Sequence, residues 1–309
     1  MNKTYDLVII GGGPAGCSAA VYAARKQLST LLVTGEFGGQ SIVSETIYNW
    51  IGTPEISGGD LAKSLESHVR YYEGDYLNIK RGQWITSVVK NDDGLFTVTA
   101  NNETYTTKTV LVTTGSNRRR LEIDGADTFE HRGVVYCASC DGPLFSGMPV
   151  AVIGGGNAAF ESAAQLLAYC PIVYLINRSE TFRADEITVQ TVSKHPNIRI
   201  LKNTVPISVV GEKFVTGLQV NHTDTDTTET LELNGVFVEI GQIPNTDYVT
   251  GVDKNETGNI IIDPWTQSST LSGLWAAGDC TNILYHQNNI AAGDAVKAVE
   301  DIYVYLKTK

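Results

Sequence analysis

Residues 5–34, YDLVIIGGGPAGCSAAVYAARKQLSTLLVT, decide the fold. The apolar run from Asp6 to Ile10 reads as a strand. Gly11-Gly12-Gly13-Pro14-Ala15-Gly16 turns the chain into a helix reaching about Arg25. A second strand, Thr30 to Val33, ends at Thr34. Gly11 permits the tight turn, and Gly13 lets the backbone approach a pyrophosphate. Gly16 lets helix pack on strand, while the helix N-terminus favours the anion.

Residues 150–177, VAVIGGGNAAFESAAQLLAYCPIVYLIN, repeat the pattern. A strand from Val150 to Ile153 enters Gly154-Gly155-Gly156-Asn157-Ala158-Ala159, a helix runs to about Tyr169, and a strand from Ile172 to Ile176 ends at Asn177. The spacing from Gly11 to Thr34 equals that from Gly154 to Asn177. One GxGxxG is weak evidence, but two in the same strand–turn–helix context form a duplicated nucleotide-binding unit. The competing reading, glycine turns in an ordinary α/β domain, has more room in the second copy, where Ala159 replaces the third glycine.

A strand-rich stretch follows each unit. After the first, strands are expected at Trp84–Val89, Leu95–Ala100, Thr104–Thr107 and Thr109–Val112, with turns at Asn91-Asp92-Asp93-Gly94 and Asn101-Asn102. After the second, Ile198 to Val238 is β-rich. The tail reads as strands Asn259–Ile262 and Gly273–Ala276, then Gly278-Asp279, then a helix from about Ala291 to Leu306. The fold class is α/β, built on two Rossmann-like dinucleotide-binding domains.

With 34 acids against 23 bases, the net charge is −11. That argues against nucleic-acid binding, which requires a basic face. Arg118-Arg119-Arg120 reads as a solvated linker, with an acidic ligand or partner as the alternative. No run approaches the roughly 18–20 apolar residues of a membrane span. A Rossmann strand begins at once, so neither signal peptide nor membrane association is expected, and the expected compartment is cytoplasmic.

Five cysteines, an odd number, argue against a disulfide framework. Cys17, Cys170 and Cys280 lie in apolar or glycine-rich surroundings and read as small buried residues. Cys137-Ala138-Ser139-Cys140-Asp141-Gly142 differs. Thiols at i and i+3 near a helix start can close a readily reduced disulfide. No second CxxC exists and His131 is not at a finger spacing, so no metal is expected. Asp141 can give or take a proton during exchange, or can be a cap. Two dinucleotide sites suggest a flavin and a nicotinamide. Asp279 is placed to accept hydrogen bonds from a ribityl chain, unless it is a turn residue. His286-Gln287-Asn288 leads into the last helix, whose N-terminus favours the charge of a reduced flavin.

Gly11 to Gly16, Gly38-Gly39-Gln40, Thr114-Gly115, the CASCDG run, Gly154 to Ala159, Gly241 to Pro244 and Ala276-Ala277-Gly278-Asp279 occur in this order. Together they resemble the low-molecular-weight thioredoxin reductases of bacteria and archaea over nearly the whole chain. Val236–Asn245 and Ala276–Gln287 also resemble the flavoprotein subunit of alkyl hydroperoxide reductase, whose additional N-terminal thioredoxin-like module is not expected here.

The resemblance implies a split FAD domain, residues 1–115 and 246–309, with an NAD(P)H domain, residues 116–245, inserted and carrying the cysteines. Each would be a three-layer ββα unit. It further implies that Cys140 lies on the flavin side, Cys137 attacks the partner's disulfide, and Asp141 protonates the leaving thiolate. Gly11, Gly13, Pro14, Ala15, Gly16, Thr34, Gly35, Gly39, Gln40, Asn49, Thr114, Gly115, Gly278, Asp279, His286, Gln287 and Asn288 fall to FAD. Gly154, Gly156, Asn157, Ala158, Ala159, Asn177, Arg178, Arg183 and Gly241 fall to NADPH. The implied enzyme is a homodimeric thioredoxin-disulfide reductase acting on thioredoxin or a thioredoxin-like protein.

Two departures bear on this. The family's His-Arg-Arg after the second unit reads Asn177-Arg178-Ser179 here, with Glu180 following and Arg183 retained. Losing one charge-assisted phosphate contact costs about 1.5–3 kcal/mol. The expected donor is NADPH, with NADH or a ferredoxin as alternatives. His286 stands where the family has Arg or Lys beside the flavin. A flavin-dependent dithiol oxidase and a non-catalytic redox sensor are the remaining readings.

Overall fold

A computed structural model describes residues 3–308 except 45 and 102, without the side chain of Val43. Asn102, half of the second expected turn, therefore lies outside the described residues. The chain forms two compact units, Met1–Asn117 with Ile243–Lys309, and Arg118–Gln242.

The first stretch contains β1 (Thr4–Gly12), α1 (Pro14–Arg25), β2 (Thr30–Phe37), α2 (Gly58–Tyr71), β3 (Leu77–Arg81), β4 (Ile85–Lys90), β5 (Phe96–Ala100), β6 (Glu103–Val112) and β7 (Ser116–Arg118). Next come β8 (Val134–Val135), α3 (Ala138–Asp141), β9 (Val150–Ile153), α4 (Asn157–Leu166), β10 (Val173–Ile176), α5 (Glu186–Ser193) and β11 (Ile198–Leu201). They are followed by β12 (Thr204–Gly211), β13 (Val215–His222), β14 (Thr227–Glu232), β15 (Gly235–Val238) and β16 (Gln242–Pro244). β17 (Leu274–Ala276) and α6 (Asn288–Thr308) close the chain.

The first unit's sheet has the order β3-β2-β1-β6-β5-β4, with β17 beside β6. Strands β3, β2, β1, β6 and β17 run parallel, whereas β4, β5 and β6 form an antiparallel meander. Alternation along β1 and β2 makes the layers. Leu7, Ile9 and Leu32 face the helices α1 and α6. Val8, Ile10, Leu31 and Val33 face Val88, Phe96, Val98 and Ile260 on the other side. Each such side chain, essentially inaccessible to solvent, contributes about 1.5–3 kcal/mol.

The second unit repeats the arrangement with the parallel order β11-β10-β9-β15-β8 and a separate antiparallel sheet β12-β13-β14. Val150, Val152, Val173 and Leu175 pack on Phe160, Ala163 and Leu166 of α4. Ala151, Ile153, Ile176 and Val236 pack on Leu218, Val220 and Leu231. In both units the C-terminal end of the central strand, β1 or β9, opens into the glycine loop.

Several details differ from the sequence expectations. The strands expected at Thr104–Thr107 and Thr109–Val112 are one strand, β6, because Lys108 between them is an ordinary exposed strand residue rather than a turn former. Asn259–Ile262 forms only isolated bridges, Ile260 with Lys254 and Thr281, and Ile262 with Ser269. The helix expected to reach Tyr169 ends at Leu166, and the last helix begins at Asn288 rather than Ala291. α2 and α5 were not expected. The Ser57 hydroxyl caps α2, accepting from Asp60 N, and the Asp185 carboxylate caps α5, accepting from Ile187 N and Thr188 N. Such caps contribute about 1 kcal/mol each.

Candidate redox and dinucleotide sites

The first glycine loop has little room behind it and open room in front. Gly11 has φ +113°, and a Cβ there would meet Thr113 O at 2.5 Å. A Cβ on Gly16 would lie 1.8 Å from Gly11 O, so α1 rests directly on the loop. At Gly13 the nearest atom to such a Cβ is Gly39 Cα at 3.8 Å. The second loop behaves alike. Gly154 has φ +147° and a Cβ there would meet Glu239 O at 2.3 Å, while Gly156 has nothing within 4 Å. Backbone held from behind and open in front is the cradle that a pyrophosphate needs. Pro14 and Ala15 open α1, and Asn157, Ala158 and Ala159 open α4.

Around the first loop, segments far apart in sequence converge. Gly278 lies beside Ala15 and Ala291, whose Cβ atoms would stand 3.7 and 3.1 Å from a Cβ on it. Ser41 Oγ donates to Asn288 Oδ1 at 2.8 Å, and Asn49 Nδ2 donates to Gln287 Oε1 at 3.1 Å. Gln40 Nε2 donates to Ser116 O and, at 3.2 Å, to Ser116 Oγ. Thr114 Oγ1 donates to Asn245 O at 2.6 Å, and Asn245 N donates to Gly115 O at 3.0 Å. Asp279 Oδ1 and His286 Nδ1 are 3.5 Å apart. Thr34 and Gly35 stand at the end of β2. Residues 11–16, 34–41, 49, 114–115 and 278–288 thus border one region of the first unit.

Around the second loop, Arg183 N donates to Gly155 O at 2.8 Å, and Asn157 Oδ1 accepts from Asp185 N at 2.7 Å. Asn177 is buried, and its amide donates to Ser179 O at 2.6 Å and Thr181 O at 3.0 Å. It therefore shapes the 177–183 loop and has no amide proton left for a ligand. Glu180 is turned aside by Lys202 and Asn203, at 3.0 and 2.9 Å. Arg178 and Arg183 are exposed, and among the described residues their guanidinium groups have no partner. Gly241, at φ +103°, accepts from Arg119 N at 3.0 Å.

Cys137 and Cys140 form a disulfide across the start of α3, with Cα atoms 5.3 Å apart. Cys137 is the N-cap, and its Sγ accepts from Cys140 N at 3.2 Å. An N–H aimed at that sulfur favours its thiolate once the bond is reduced. Burial raises the Asp141 carboxyl above the usual carboxylate range, against the pull of Arg118 and His131, so it keeps its proton to higher pH. The other three cysteines are free and buried. Burial pushes Cys17 and Cys280 up to about 12 and Cys170 up to about 11, which makes them poor nucleophiles.

Sequence reading passed over three residues near these loops. Glu36, exposed near the end of β2, had a signal, because a strand-end carboxylate is part of the dinucleotide pattern. Trp84, against Gly35, had none. Glu239 follows β15 and interrupts the apolar run 236–240; its Oε1 accepts from Ser162 Oγ at 2.6 Å. Burial pushes its carboxyl up to about 7, while Ser162 and Arg118 lower it and Glu161 raises it. A carboxyl shifted up on folding costs nothing well below its unfolded pKa. Its cost grows from there up to the folded value and stays constant above it. Glu239→Gln is therefore expected to raise stability by roughly 1–2 kcal/mol at pH 8, after discounting for partial exposure, and to change it little at pH 4. Thermal melts at the two pH values check this; equal effects at both would remove the charge explanation.

A family model described as pyridine nucleotide-disulphide oxidoreductase matches residues 5–298. The F subunit of alkyl hydroperoxide reductase from Xanthomonas campestris pv. phaseoli is 38% identical over 308 residues, which covers 99% of this chain and 58% of that protein. The NADH dehydrogenase of Bacillus subtilis (strain 168) is 38% identical over 307 residues, covering 99% and 59%. The chain thus spans less than two thirds of either relative. The thioredoxin reductase from Giardia duodenalis superposes with a TM-score of 0.93 at 28% identity, covering 99% of this chain and 100% of that one.

Proposed function

Because this chain belongs to the pyridine nucleotide-disulphide oxidoreductase family, we propose that it is a flavin-dependent disulfide reductase. It takes electrons from NADPH and delivers them, through FAD and Cys137–Cys140, to thioredoxin or a thioredoxin-like protein. In this reading the unit holding Gly11 binds FAD, the unit holding Gly154 binds the nicotinamide, and the enzyme works in the cytoplasm as a homodimer. The observation that carries the proposal is the Cys137–Cys140 disulfide beside a carboxyl whose pKa burial raises, in a chain with two open glycine cradles.

Bound flavin would supply the exchange between hydride and thiol chemistry. The chain's own residues do the rest. The Cys137 thiolate attacks one sulfur of the partner's disulfide, forming a mixed disulfide and expelling the partner's other thiolate, which Asp141 protonates. The Cys140 thiolate then attacks the Cys137 sulfur, releasing the second partner thiolate and reforming Cys137–Cys140. Two electrons have passed to the partner, and each step makes one S–S bond and breaks one. Leu144 and Met148, which follow the disulfide in the chain, and Tyr169, whose ring lies 3.8 Å from a Cβ built on Gly142, are exposed and suit contact with a small protein.

The flavin spectrum tests this directly, recorded anaerobically as NADPH, NADH and a dithiol are added in turn. Bleaching by NADPH with turnover of a thioredoxin is expected. A chain unable to bind FAD sinks the proposal, and bleaching by dithiol alone points to a ferredoxin donor or a dithiol oxidase. The NADH reading keeps weight from the relative named NADH dehydrogenase. If Arg178 and Arg183 hold the 2′-phosphate, changing both to Ala lowers kcat/KM for NADPH at least about a hundredfold and leaves that for NADH within about threefold. An unchanged ratio of the two assigns the arginines elsewhere.

A further inference from the structure

The turn after β3 holds one exposed aromatic side chain, Trp84, against the end of β2. Trp84 is 65% exposed, yet its six-membered ring lies flat against the chain at Gly35. A Cβ on Gly35 would meet Trp84 Cζ2, Cε2 and Cη2 at 2.4, 2.5 and 2.7 Å. The turn that carries it is pinned on both sides. Gly82 N donates to Gly35 O and Gln83 N to Thr34 O, both at 3.2 Å. Asn101 N donates to Trp84 O at 3.0 Å, and Trp84 N donates to Asn101 Oδ1 at 3.3 Å. Gln83, next to it, accepts from the Tyr105 hydroxyl at 2.8 Å. A large apolar side chain is thus held in place with most of its surface in water, an arrangement that burial does not explain.

Its position suggests what covers it. β2 lies directly beside β1, and β1 opens into the Gly11–Gly16 loop. A dinucleotide whose pyrophosphate sits on that loop extends its adenosine half over the end of β2, past Thr34, Gly35 and the Glu36 carboxylate. We propose that Trp84 is the aromatic platform for the adenine of FAD, and that Gly35 is a glycine so that the indole can lie there. The inference rests on the flavin reading of the first unit. It adds a residue that makes this unit select the dinucleotide FAD over FMN, which has no adenine. Purine stacking on an aromatic ring tolerates Phe in place of Trp but not Ala.

The test titrates the full chain, freed of flavin, with FAD and separately with FMN, following flavin fluorescence for wild type, Trp84→Ala and Trp84→Phe. Trp84→Ala is expected to weaken FAD about 10- to 100-fold and leave FMN within about twofold. Trp84→Phe recovers most of the loss. An FAD affinity unchanged in Trp84→Ala overturns the inference while leaving the flavin reading intact. So does an equal loss of FAD and FMN, which would mark Trp84 as a structural support. A wild-type chain that binds neither flavin overturns the flavin reading and this inference together.

Discussion

Replacing Cys140 with Ser is expected to lower kcat/KM for a disulfide protein by at least about a thousandfold and to leave bound flavin in place. The hydroxyl has nearly the volume of the thiol, and Cys140 is only partly buried, so the fold loses little. In the proposed cycle, the chemistry loses its resolving group. Cys137 retains its sulfur at the N-cap of α3, and Cys140→Ser keeps the backbone N–H that points at it. It can still open the partner's disulfide, but nothing then displaces the partner from the mixed disulfide. A covalent complex sensitive to reductant should therefore accumulate with Cys140→Ser and not with Cys137→Ser. Non-reducing gels and mass spectrometry read this. Wild-type turnover by either variant, or a complex trapped by Cys137→Ser alone, would show that the roles are misassigned.

How much of this was legible in sequence follows from how each feature is encoded. β1–α1–β2 and β9–α4–β10 were legible because a short apolar run, a glycine turn and a helix lie within a single stretch. The dithiol was legible for the same reason. α2 stayed hidden because it opens on Gly58-Gly59, which reads as loop; Gly58 is there because a Cβ would meet Ser41 O at 1.8 Å. That is a long-range contact with no local trace. Trp84 and Glu239 stayed hidden too. The turn after β3 carries one, and the end of β15 carries the other. Only the lateral order of the strands brings them to Gly35 and Gly154. The split of β6 at Lys108 was an error of a different kind, a solvent-facing strand residue read as a break.

The second large effect is expected at Gly16. Gly16→Ala places a methyl group where only 1.8 Å separates it from Gly11 O, with Gly11 C and Thr113 Oγ1 each at 2.8 Å. Two of these atoms are backbone, so no side chain can rotate away; α1 must lift off the end of β1. That would disturb the layer in which Ala15, Ala19 and Ala23 pack against Leu7 and Ile9. The expected cost is about 3 kcal/mol or more, a fall in Tm of roughly 6–12 °C, with loss of retained flavin. The second loop supplies the comparison, since Ala159 already fills the corresponding place with its side chain fully buried. An Ala is thus accommodated at the corresponding place of the second loop, and the penalty at Gly16 comes from its own 1.8 Å approach rather than from a general ban. Gly156→Ala is the matched control. Its φ of −99° suits any residue and it has open space around it, so stability should hold within about 0.5 kcal/mol. Only nicotinamide binding should weaken, because the new methyl group occupies the cradle. Purified protein from each variant, judged by flavin content, melting temperature and nucleotide titration, decides the matter. A Gly16→Ala chain that is as yellow and as stable as wild type would mean that α1 does not fix the first loop. A Gly156→Ala chain that loses its flavin would mean that the two cradles have been assigned the wrong way round.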